Sequence, residues 1–171
     1  MAARNAPLER EREGEVVLGP LKNYIGFQLR RAQDVAFNAF ARRVGEANLS
    51  PGYFAILSVI NENPGLNQTT LSHATGRDKS TLTPALRSLE KHGFVSRERS
   101  EADRRAYHLN LTAAGKVYLQ KLAVHAQAHD RMLDEIVGEF NKPLLIHLLE
   151  RIVEELGKDD PAADHQRGGD A

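Results

Sequence analysis

The chain has 171 residues, with 23 basic and 23 acidic side chains and no cysteine. This length suits one domain with a true core, or a small domain with an attached helical interface. The lack of cysteine excludes disulfides, thiolate metal sites and a cysteine-based redox switch. No run of about 18 apolar residues occurs and the amino terminus is charged rather than signal-like, so we expect a cytoplasmic protein without a membrane segment.

The amino-terminal part of the chain predicts long, buried helices. Residues 1–19 are charged and aperiodic, and we expect them to be mobile. Residues 20–48 have the apolar spacing of one long helix that needs another surface to pack on, and we interpret it as a dimerisation helix. Ser50-Pro51 then starts a further helix, which Asn63-Pro64-Gly65 ends.

Residues 67–93 have the pattern of a helix-turn-helix. Asn67 is placed to cap a short helix, Gly76 to make the turn and Asp78 to cap a second helix. Pro84 lacks an amide for the carbonyl of Ser80, so we expect it to loosen or kink this helix. Short hydroxyls and cations suit base edges and phosphates, and the predicted DNA contacts of this segment are Arg77, Lys79, Ser80, Thr81, Thr83 and Arg87.

Two strands follow the second helix and predict a wing. Residues 95–99 have strand spacing, and a return strand carries Leu109 and Leu111 on one face. In the turn between the strands, we expect Asp103 to orient Arg105 for a narrow minor groove while Arg104 reaches a phosphate. The alternative is an exposed ion pair of little consequence.

Charge is unevenly distributed along the chain. From Arg77 to Arg105, eight basic residues face five acidic ones, whereas from His125 onward five basic residues face eleven acidic ones. We therefore expect the basic middle of the chain to face DNA and the acidic end to face away from it.

These segments resemble the MarR family of transcriptional regulators. Asp103-Arg104-Arg105, Leu111-Thr112 and Gly115 look like its D-x-R…L-T-x-x-G wing signature, and residues 78–93 are similar to its recognition helix. The resemblance implies a mainly α fold with a small β-wing: a winged helix-turn-helix over 49–112 and a dimerisation region formed by the N- and C-terminal helices. Many members carry Arg where Pro84 stands.

The carboxy-terminal part predicts two more helices over residues 113–157, followed by a polar, disordered tail over 158–171. The last helix has an apolar stripe made of Leu145, Leu148, Leu149, Ile152, Val153 and Leu156. Packing on a second subunit explains this stripe best and predicts a homodimer, while packing back on the first helix is the alternative.

The resemblance also implies a small-molecule effector, because family members commonly bind aromatic acids or related anions between the dimer helices and the DNA-binding lobes. The effector would be an aromatic carboxylate, a related anion or a thioester. Ordinary core packing of the aromatic residues and a wet surface for the arginines are the alternatives. The candidate ligand residues are Phe27, Arg30, Arg31, Phe37, Phe40 and Tyr53.

No phosphate-binding glycine loop or nucleophile motif occurs, so we expect neither an enzyme nor a cofactor. Our interpretation is a homodimeric repressor that binds a pseudo-palindrome in double-stranded DNA and is released by a small ligand. One alternative is a metal-responsive regulator that uses His125 and His129, an i, i+4 pair on a helix where zinc-sensing members also place histidines. The other is a helical protein-interaction adaptor that does not bind DNA.

Overall fold

The computed structural model describes residues 16–47, 49–99 and 107–158. Within these ranges the chain forms six α-helices and one antiparallel pair of strands. They are α1 (Ile25–Gly45), α2 (Phe54–Glu62), α3 (Gln68–Thr75), α4 (Lys79–Lys91), β1 (Val95–Arg99), β2 (Tyr107–Leu111), α5 (Ala113–Val137) and α6 (Lys142–Gly157). Two 3-10 turns precede α1 and α2, at Gly19–Asn23 and Pro51–Tyr53. The latter is called the 51–53 turn below.

The chain divides into two compact units, Met1–Asn38 and Ala39–Ala171. In the first unit, Gln28 Nε2 donates to the carbonyl of Lys22 at 2.6 Å, which fastens the start of α1 to the turn before it. Arg30 and Asp34 form an i, i+4 ion pair at 3.1 Å on the exposed face of α1. Exposed pairs of this kind add little stability.

The second unit contains the hydrophobic core. In α4, Leu82, Leu86 and Leu89 are all fully buried, as their i, i+4, i+7 spacing predicts. The other core residues come from the end of α1, from α2, α3, both strands and α5, and are Phe40, Val44, Ile56, Leu57, Ile60, Leu71, Val95, Leu109 and Leu122. The core therefore fixes α4 against the rest of its unit along one face and leaves the opposite face free.

The helix starts predicted at Asn67 and Asp78 are confirmed. The predicted start at Ser50-Pro51 is wrong in detail, because the side chain of Ser50 makes no capping hydrogen bond and the 51–53 turn comes before α2. Asn67 Oδ1 accepts from the Thr70 amide at 2.9 Å, and Asp78 Oδ1 accepts from the Thr81 amide at 2.8 Å. Between these helices Gly76 has φ of 62°, the left-handed conformation that a tight turn requires and that glycine adopts without strain. Thr112 in turn caps α5, since its hydroxyl accepts from the Gly115 amide at 3.0 Å.

Pro84 does not interrupt α4, which runs from Lys79 to Lys91. Proline cannot donate to the carbonyl four residues earlier, which belongs to Ser80. Thr83, the residue before Pro84, donates its hydroxyl to the carbonyl of Lys79 at 2.7 Å.

The wing is an antiparallel ladder from Val95 opposite Leu111 to Arg99 opposite Tyr107. An isolated bridge between Leu66 and Leu109 joins the ladder to the loop before α3. Residues 100–106 lie outside the described part of the chain. The predicted roles of Asp103, Arg104 and Arg105 therefore remain predictions.

The last two helices meet at a charged corner. Lys142 Nζ lies 2.6 Å from Asp134 Oδ1 and 3.5 Å from Asp130 Oδ2. The hydrogen bond to Asp134 is the main cause of a raised Lys142 pKa. Beyond this corner α6 has no buried residue in the single chain, and its exposed apolar side chains are Leu144, Leu145, Ile146, Leu148, Leu149, Val153 and Leu156.

No helix among the described residues is long and apolar enough to cross a membrane. The predicted mobile segment 1–19 and tail 158–171 lie mainly outside the described ranges. The predicted division into 20–48, 49–112 and 113–157 stays a prediction.

Candidate DNA-binding surface and ligand cavity

The exposed side of the first turns of α4 carries most of the predicted DNA contacts. Lys79, Ser80, Thr81 and Arg87 are exposed, while Arg77 in the preceding turn is half-buried. The amino terminus of a helix presents free amides and a positive dipole end, which favours phosphate. The structure thus places cations, hydroxyls and a helix amino terminus together.

Asp78 orders the hydroxyls at this helix start. Ser80 Oγ donates to Asp78 Oδ1 at 2.6 Å, and Thr81 Oγ1 donates to the Asp78 carbonyl at 3.1 Å. The bond from Ser80, followed by the amide of Thr81, lowers the pKa of Asp78. Because both hydroxyl protons are engaged, Ser80 and Thr81 present oxygen lone pairs outward. Such acceptors match the amino groups of adenine and cytosine in the major groove.

Thr83 is less free than its neighbours. Its hydroxyl accepts from Gln68 Nε2 at 2.8 Å and donates to the Lys79 carbonyl at 2.7 Å, and the residue is half-buried. These bonds tie α3 to α4. A base contact by Thr83 remains a prediction and would use the remaining lone pair of this hydroxyl.

Arg97 holds the wing to the helix-turn-helix. Its Nε lies 2.8 Å from Glu90 Oε1 at the end of α4, in an approach too oblique for an aligned hydrogen bond. Its Nη2 lies 3.4 Å from Gln68 Oε1 on α3, and its guanidinium carbon lies 5.2 Å from the Tyr107 ring centroid on β2. We call Gln68, Thr83, Glu90, Arg97 and Tyr107 the Arg97 network.

Arg97 is one of the eight basic residues between Arg77 and Arg105, the part of the chain that the charge distribution predicts to face DNA. The structure instead half-buries this side chain and pairs it within the protein. The sequence feature that points to this ion pair is the position of Glu90 near the end of α4 and Arg97 in β1, with Gly93 in the turn between them. That spacing alone does not distinguish an internal ion pair from two solvated charges.

A cavity of about 420 Å³ lies in the second unit. Its walls come from Phe40 of α1, Phe54 of α2 and one side of α5, where the lining residues are Ala123, Ala126, Gln127, His129 and Asp130. The rings of Phe40 and Phe54 meet edge to face at 6.1 Å, and the His129 ring lies 5.5 Å from Phe40. His129 Nδ1 is buried and has no hydrogen-bond partner among the described residues.

The predicted ligand residues fall in different places. Phe40 lines this cavity, whereas Tyr53 donates its hydroxyl to Ser88 Oγ of α4 at 2.7 Å. The remaining four residues belong to the first unit. There Arg30 pairs with Asp34, and the guanidinium carbon of Arg31 lies 5.7 Å from the Phe27 ring centroid. Phe37 is exposed in the single chain.

His125 and His129 of α5 are the histidine pair that the metal-responsive alternative would use. No group of three or more His, Cys, Asp or Glu side chains in the described ranges is arranged to hold a metal ion. His129 faces the aromatic cavity, while His125, one turn earlier, does not line it. His129 was considered only as a metal ligand, since its sequence position does not reveal its aromatic neighbours.

Comparisons with known proteins agree with this geometry. Residues 49–107 match the MarR family. The chain is 34% identical over 139 residues to a putative transcriptional regulatory protein for the hcr operon of Thauera aromatica, covering 81% of this chain and 84% of that protein.

The structure is also similar to two structures of the transcriptional repressor CouR. The one bound to a 23-mer DNA duplex is 33% identical with a TM-score of 0.72, and the one bound to p-coumaroyl-CoA is 32% identical with a TM-score of 0.72. Both alignments cover 82% of this chain and 99% of CouR. The predicted family and fold are thus confirmed, and the chain belongs to the MarR family of winged helix-turn-helix transcriptional regulators.

Proposed function

We propose that this regulator is a homodimeric repressor that binds a pseudo-palindromic operator and leaves it when a small aromatic effector enters the cavity. The observation that carries the proposal is the cavity itself, walled by Phe40 and Phe54 and lined on its polar side by Gln127 and Asp130 of α5. Its volume falls in the range of about 300–1,000 Å³ typical of small-molecule sites. An apolar site with a few convergent polar atoms in a DNA-binding protein is well suited to an effector.

CouR supports both parts of the proposal. This repressor is known with a DNA duplex and with p-coumaroyl-CoA, and it shares about a third of its residues with this chain. By that relation, an aromatic carboxylate, a related anion or a thioester is the effector class that we propose here.

On the DNA side, we assign base and phosphate contacts to the exposed start of α4. Ser80, Thr81 and Thr83 would contact bases, and Arg77, Lys79 and Arg87 would contact phosphates or guanines. At the wing tip, Arg105 would enter the minor groove with Asp103 orienting it, and Arg104 would contact a phosphate.

The apolar face of α6 supports the proposed dimer. In the single chain Leu145, Leu148 and Leu149 are about two-fifths exposed, and Val153 and Leu156 are exposed by about seven-tenths. A contiguous apolar face of this kind on a regulator is best covered by a second copy, because two lobes are needed to read a two-fold operator.

The 51–53 turn offers a route from the cavity to DNA. Phe54, which lines the cavity, follows this turn directly, and Tyr53 within it bonds to Ser88 of α4. At the start of the turn, the Ser50 amide donates to the Tyr118 hydroxyl of α5 at 2.9 Å. An effector that displaces Phe54 would therefore move α4. Coupling of about 1–3 kcal/mol is enough to change DNA affinity about 5- to 150-fold.

The test begins with the DNA. Selection from a pool of randomised duplexes should recover an inverted repeat whose half-sites lie about one helical turn apart, bound with a strong salt dependence. Fluorescence anisotropy on that site should then show p-coumaroyl-CoA or a related aryl thioester weakening binding at least fivefold. Recovery of no inverted repeat would refute the operator, and full DNA affinity with the cavity saturated by ligand would refute the release mechanism.

A further inference from the structure

We propose that Gln68 of α3 is a positioning residue for base recognition. It holds the hydroxyl of Thr83 as a hydrogen-bond acceptor, so that Thr83 selects adenine or cytosine on the DNA strand that it faces. The proposal rests on the proposed function, because it deepens the base contact assigned there to Thr83. It follows from the direction of successive hydrogen bonds that run from the wing, through α3, to α4.

Arg97 of the wing fixes which end of the Gln68 amide faces Thr83. A guanidinium group has only donors, so the amide atom that lies 3.4 Å from Arg97 Nη2 is the oxygen. The amide nitrogen therefore faces Thr83 and lies 2.8 Å from its Oγ1. Because the partners of a side-chain amide determine its orientation, the Thr83 hydroxyl receives a hydrogen bond from Gln68.

The proton of the Thr83 hydroxyl is used within α4. Thr83 Oγ1 lies 2.7 Å from the carbonyl oxygen of Lys79, and two oxygen atoms at this distance share a proton. A carbonyl has no proton to donate, so Thr83 is the donor. A hydroxyl has one proton and two lone pairs, and Gln68 already occupies one lone pair. After these two bonds one lone pair remains, and its partner must be a donor.

The remaining lone pair of Thr83 restricts the bases that it can contact. In the major groove the base donors are the N6 amino group of adenine and the N4 amino group of cytosine. Each base pair contains one such amino group, so Thr83 discriminates between the two orientations of a pair. Reversal of the pair places an acceptor, thymine O4 or guanine O6, against the lone pair of Thr83.

Thr83 lies at the edge of the exposed side of α4. Ser80 is three residues before it and Arg87 four residues after it, so the three side chains lie close together on the helix surface. Ser80 and Arg87 are exposed, and Thr83 is half-buried. A hydroxyl at this edge can contact Gln68 on one side and a base on the other.

The alternative is a purely structural role for Gln68. Its two bonds would then only tie α3 to α4 and the wing, and their loss would lower stability without changing the base preference. Under the proposed role, Gln68 and Lys79 hold Thr83 Oγ1 from two sides. Without Gln68 the Thr83 side chain is free to change rotamer and to donate its proton to a base acceptor. The base preference at one position should therefore weaken.

The test uses the full-length protein and the inverted repeat recovered by selection. Thr83→Val, which has the same shape but no hydroxyl, locates the base pair that Thr83 reads, because its preference is lost at that pair alone. The amino group of this pair is then removed in both half-sites, with purine in place of adenine or 2-pyrimidinone in place of cytosine. This removal should weaken binding of the unaltered protein at least about fivefold, since two hydrogen bonds are lost, and binding of Thr83→Val by less than about twofold.

Gln68→Met keeps the length of the side chain but makes neither bond. It should reduce the loss caused by removal of the amino group to less than about twofold. It should have no additional effect on that loss in a Thr83→Val background, because Gln68 acts through Thr83. Each protein is compared on the same two duplexes, so a change in duplex stability cancels.

Thr75→Val is the matched control at the other end of α3. It removes a half-buried hydroxyl that is bonded to the Leu71 carbonyl at 2.7 Å. Thr75→Val should leave the loss caused by removal of the amino group within about twofold of that of the unaltered protein, even if it lowers the melting temperature.

The positioning role is overturned if Gln68→Met keeps the full dependence on the amino group, or if Thr83→Val changes the preference at no base pair. It is also overturned if the unaltered protein binds equally with and without the amino group. In each of these cases an inverted repeat that is still selected and released by the effector leaves the proposed repressor intact. Failure to select any preferred duplex would instead overturn both the proposed function and the role of Gln68.

Discussion

Replacement of Arg97 by alanine tests whether this residue is a structural link or a DNA contact. In the structure Arg97 joins Glu90 of α4, Gln68 of α3 and Tyr107 of β2. Its removal should lower both stability and operator affinity, because the wing loses one of its links to α4, while its core contacts through Val95 and Leu109 remain. The number of phosphates that the protein contacts should stay the same.

The stability loss can be bounded from the burial of the pair. Exposed ion pairs contribute about 0.2–1 kcal/mol, whereas breaking a fully buried pair costs about 3–5 kcal/mol. The side chains of Arg97 and Glu90 are 28% and 30% exposed, so we expect about 1–2 kcal/mol from this pair. The contact with Tyr107 adds about 0.5–1 kcal/mol. Together these lower the melting temperature by about 3–12 °C in a chain of this size.

The assay combines thermal unfolding at fixed protein concentration with DNA titrations at several salt concentrations. Arg97→Ala should weaken operator binding while the slope of log K against log salt stays within error of the unaltered protein. Each lost phosphate contact would reduce that slope by about 0.9. Arg99→Ala is the matched control, because Arg99 is an exposed arginine of the same strand and should change stability by less than about 0.5 kcal/mol.

A reduced salt slope for Arg97→Ala, with an unchanged melting temperature, would show that Arg97 contacts DNA and is not a structural link. A double-mutant cycle with Glu90→Ala provides a second check. If the two residues act as a pair, the double variant should lose less stability than the sum of the single variants.

Three further predictions concern the dimer and the DNA contacts. The Leu148→Asp/Ile152→Asp variant should become monomeric or unfold in sedimentation experiments, and a well-folded dimer would place the interface elsewhere. Thr83→Ala should cost about 1–3 kcal/mol of binding free energy at the preferred operator and relax the preference at one base pair. Arg87→Ala should instead weaken binding to all duplexes nearly equally. Equal losses of affinity on operator and random DNA for Thr83→Ala would refute base reading by this residue. Arg105→Ala should weaken operator binding at least tenfold with an unchanged melting temperature. Asp103→Ala should weaken operator binding to a smaller degree. If Arg105→Ala binds the operator within about twofold of the unaltered protein, the minor-groove role is refuted.

Local chemistry explains why the helix-turn-helix was predictable. Asn67, Asp78 and Thr112 each cap the helix that follows them, and a cap needs only residues a few positions apart. The buried face of α4 likewise repeats within one helix. The sequence therefore contained both the starts of these helices and the side of α4 that faces the core.

The candidate site depends on contacts between distant residues, which no local pattern specifies. Tyr53 bonds to Ser88, and Gln68 contacts Arg97, across separations of 35 and 29 residues. In sequence, Tyr53 is simply another aromatic residue near the first helices, and Arg97 is one cation in a basic strand. His129 becomes a candidate ligand contact only when α1 and α5 pack so that its ring meets Phe40.

The contacts of α4 also suggest how an effector acts. About one turn before its end α4 bonds to the 51–53 turn through Ser88, and it is tied to α3 and the wing through Thr83 and Glu90.

A displacement of the 51–53 turn should therefore carry the recognition helix and the wing together, without altering the arrangement of side chains within one lobe. Under this mechanism the effector changes the spacing of the two lobes of a dimer, so it weakens binding to a full inverted repeat at least fivefold. A duplex with a single half-site should bind with the same affinity, within about twofold, whether or not the effector is present. An equal effector-induced loss on both duplexes would instead show that the effector distorts the lobe itself.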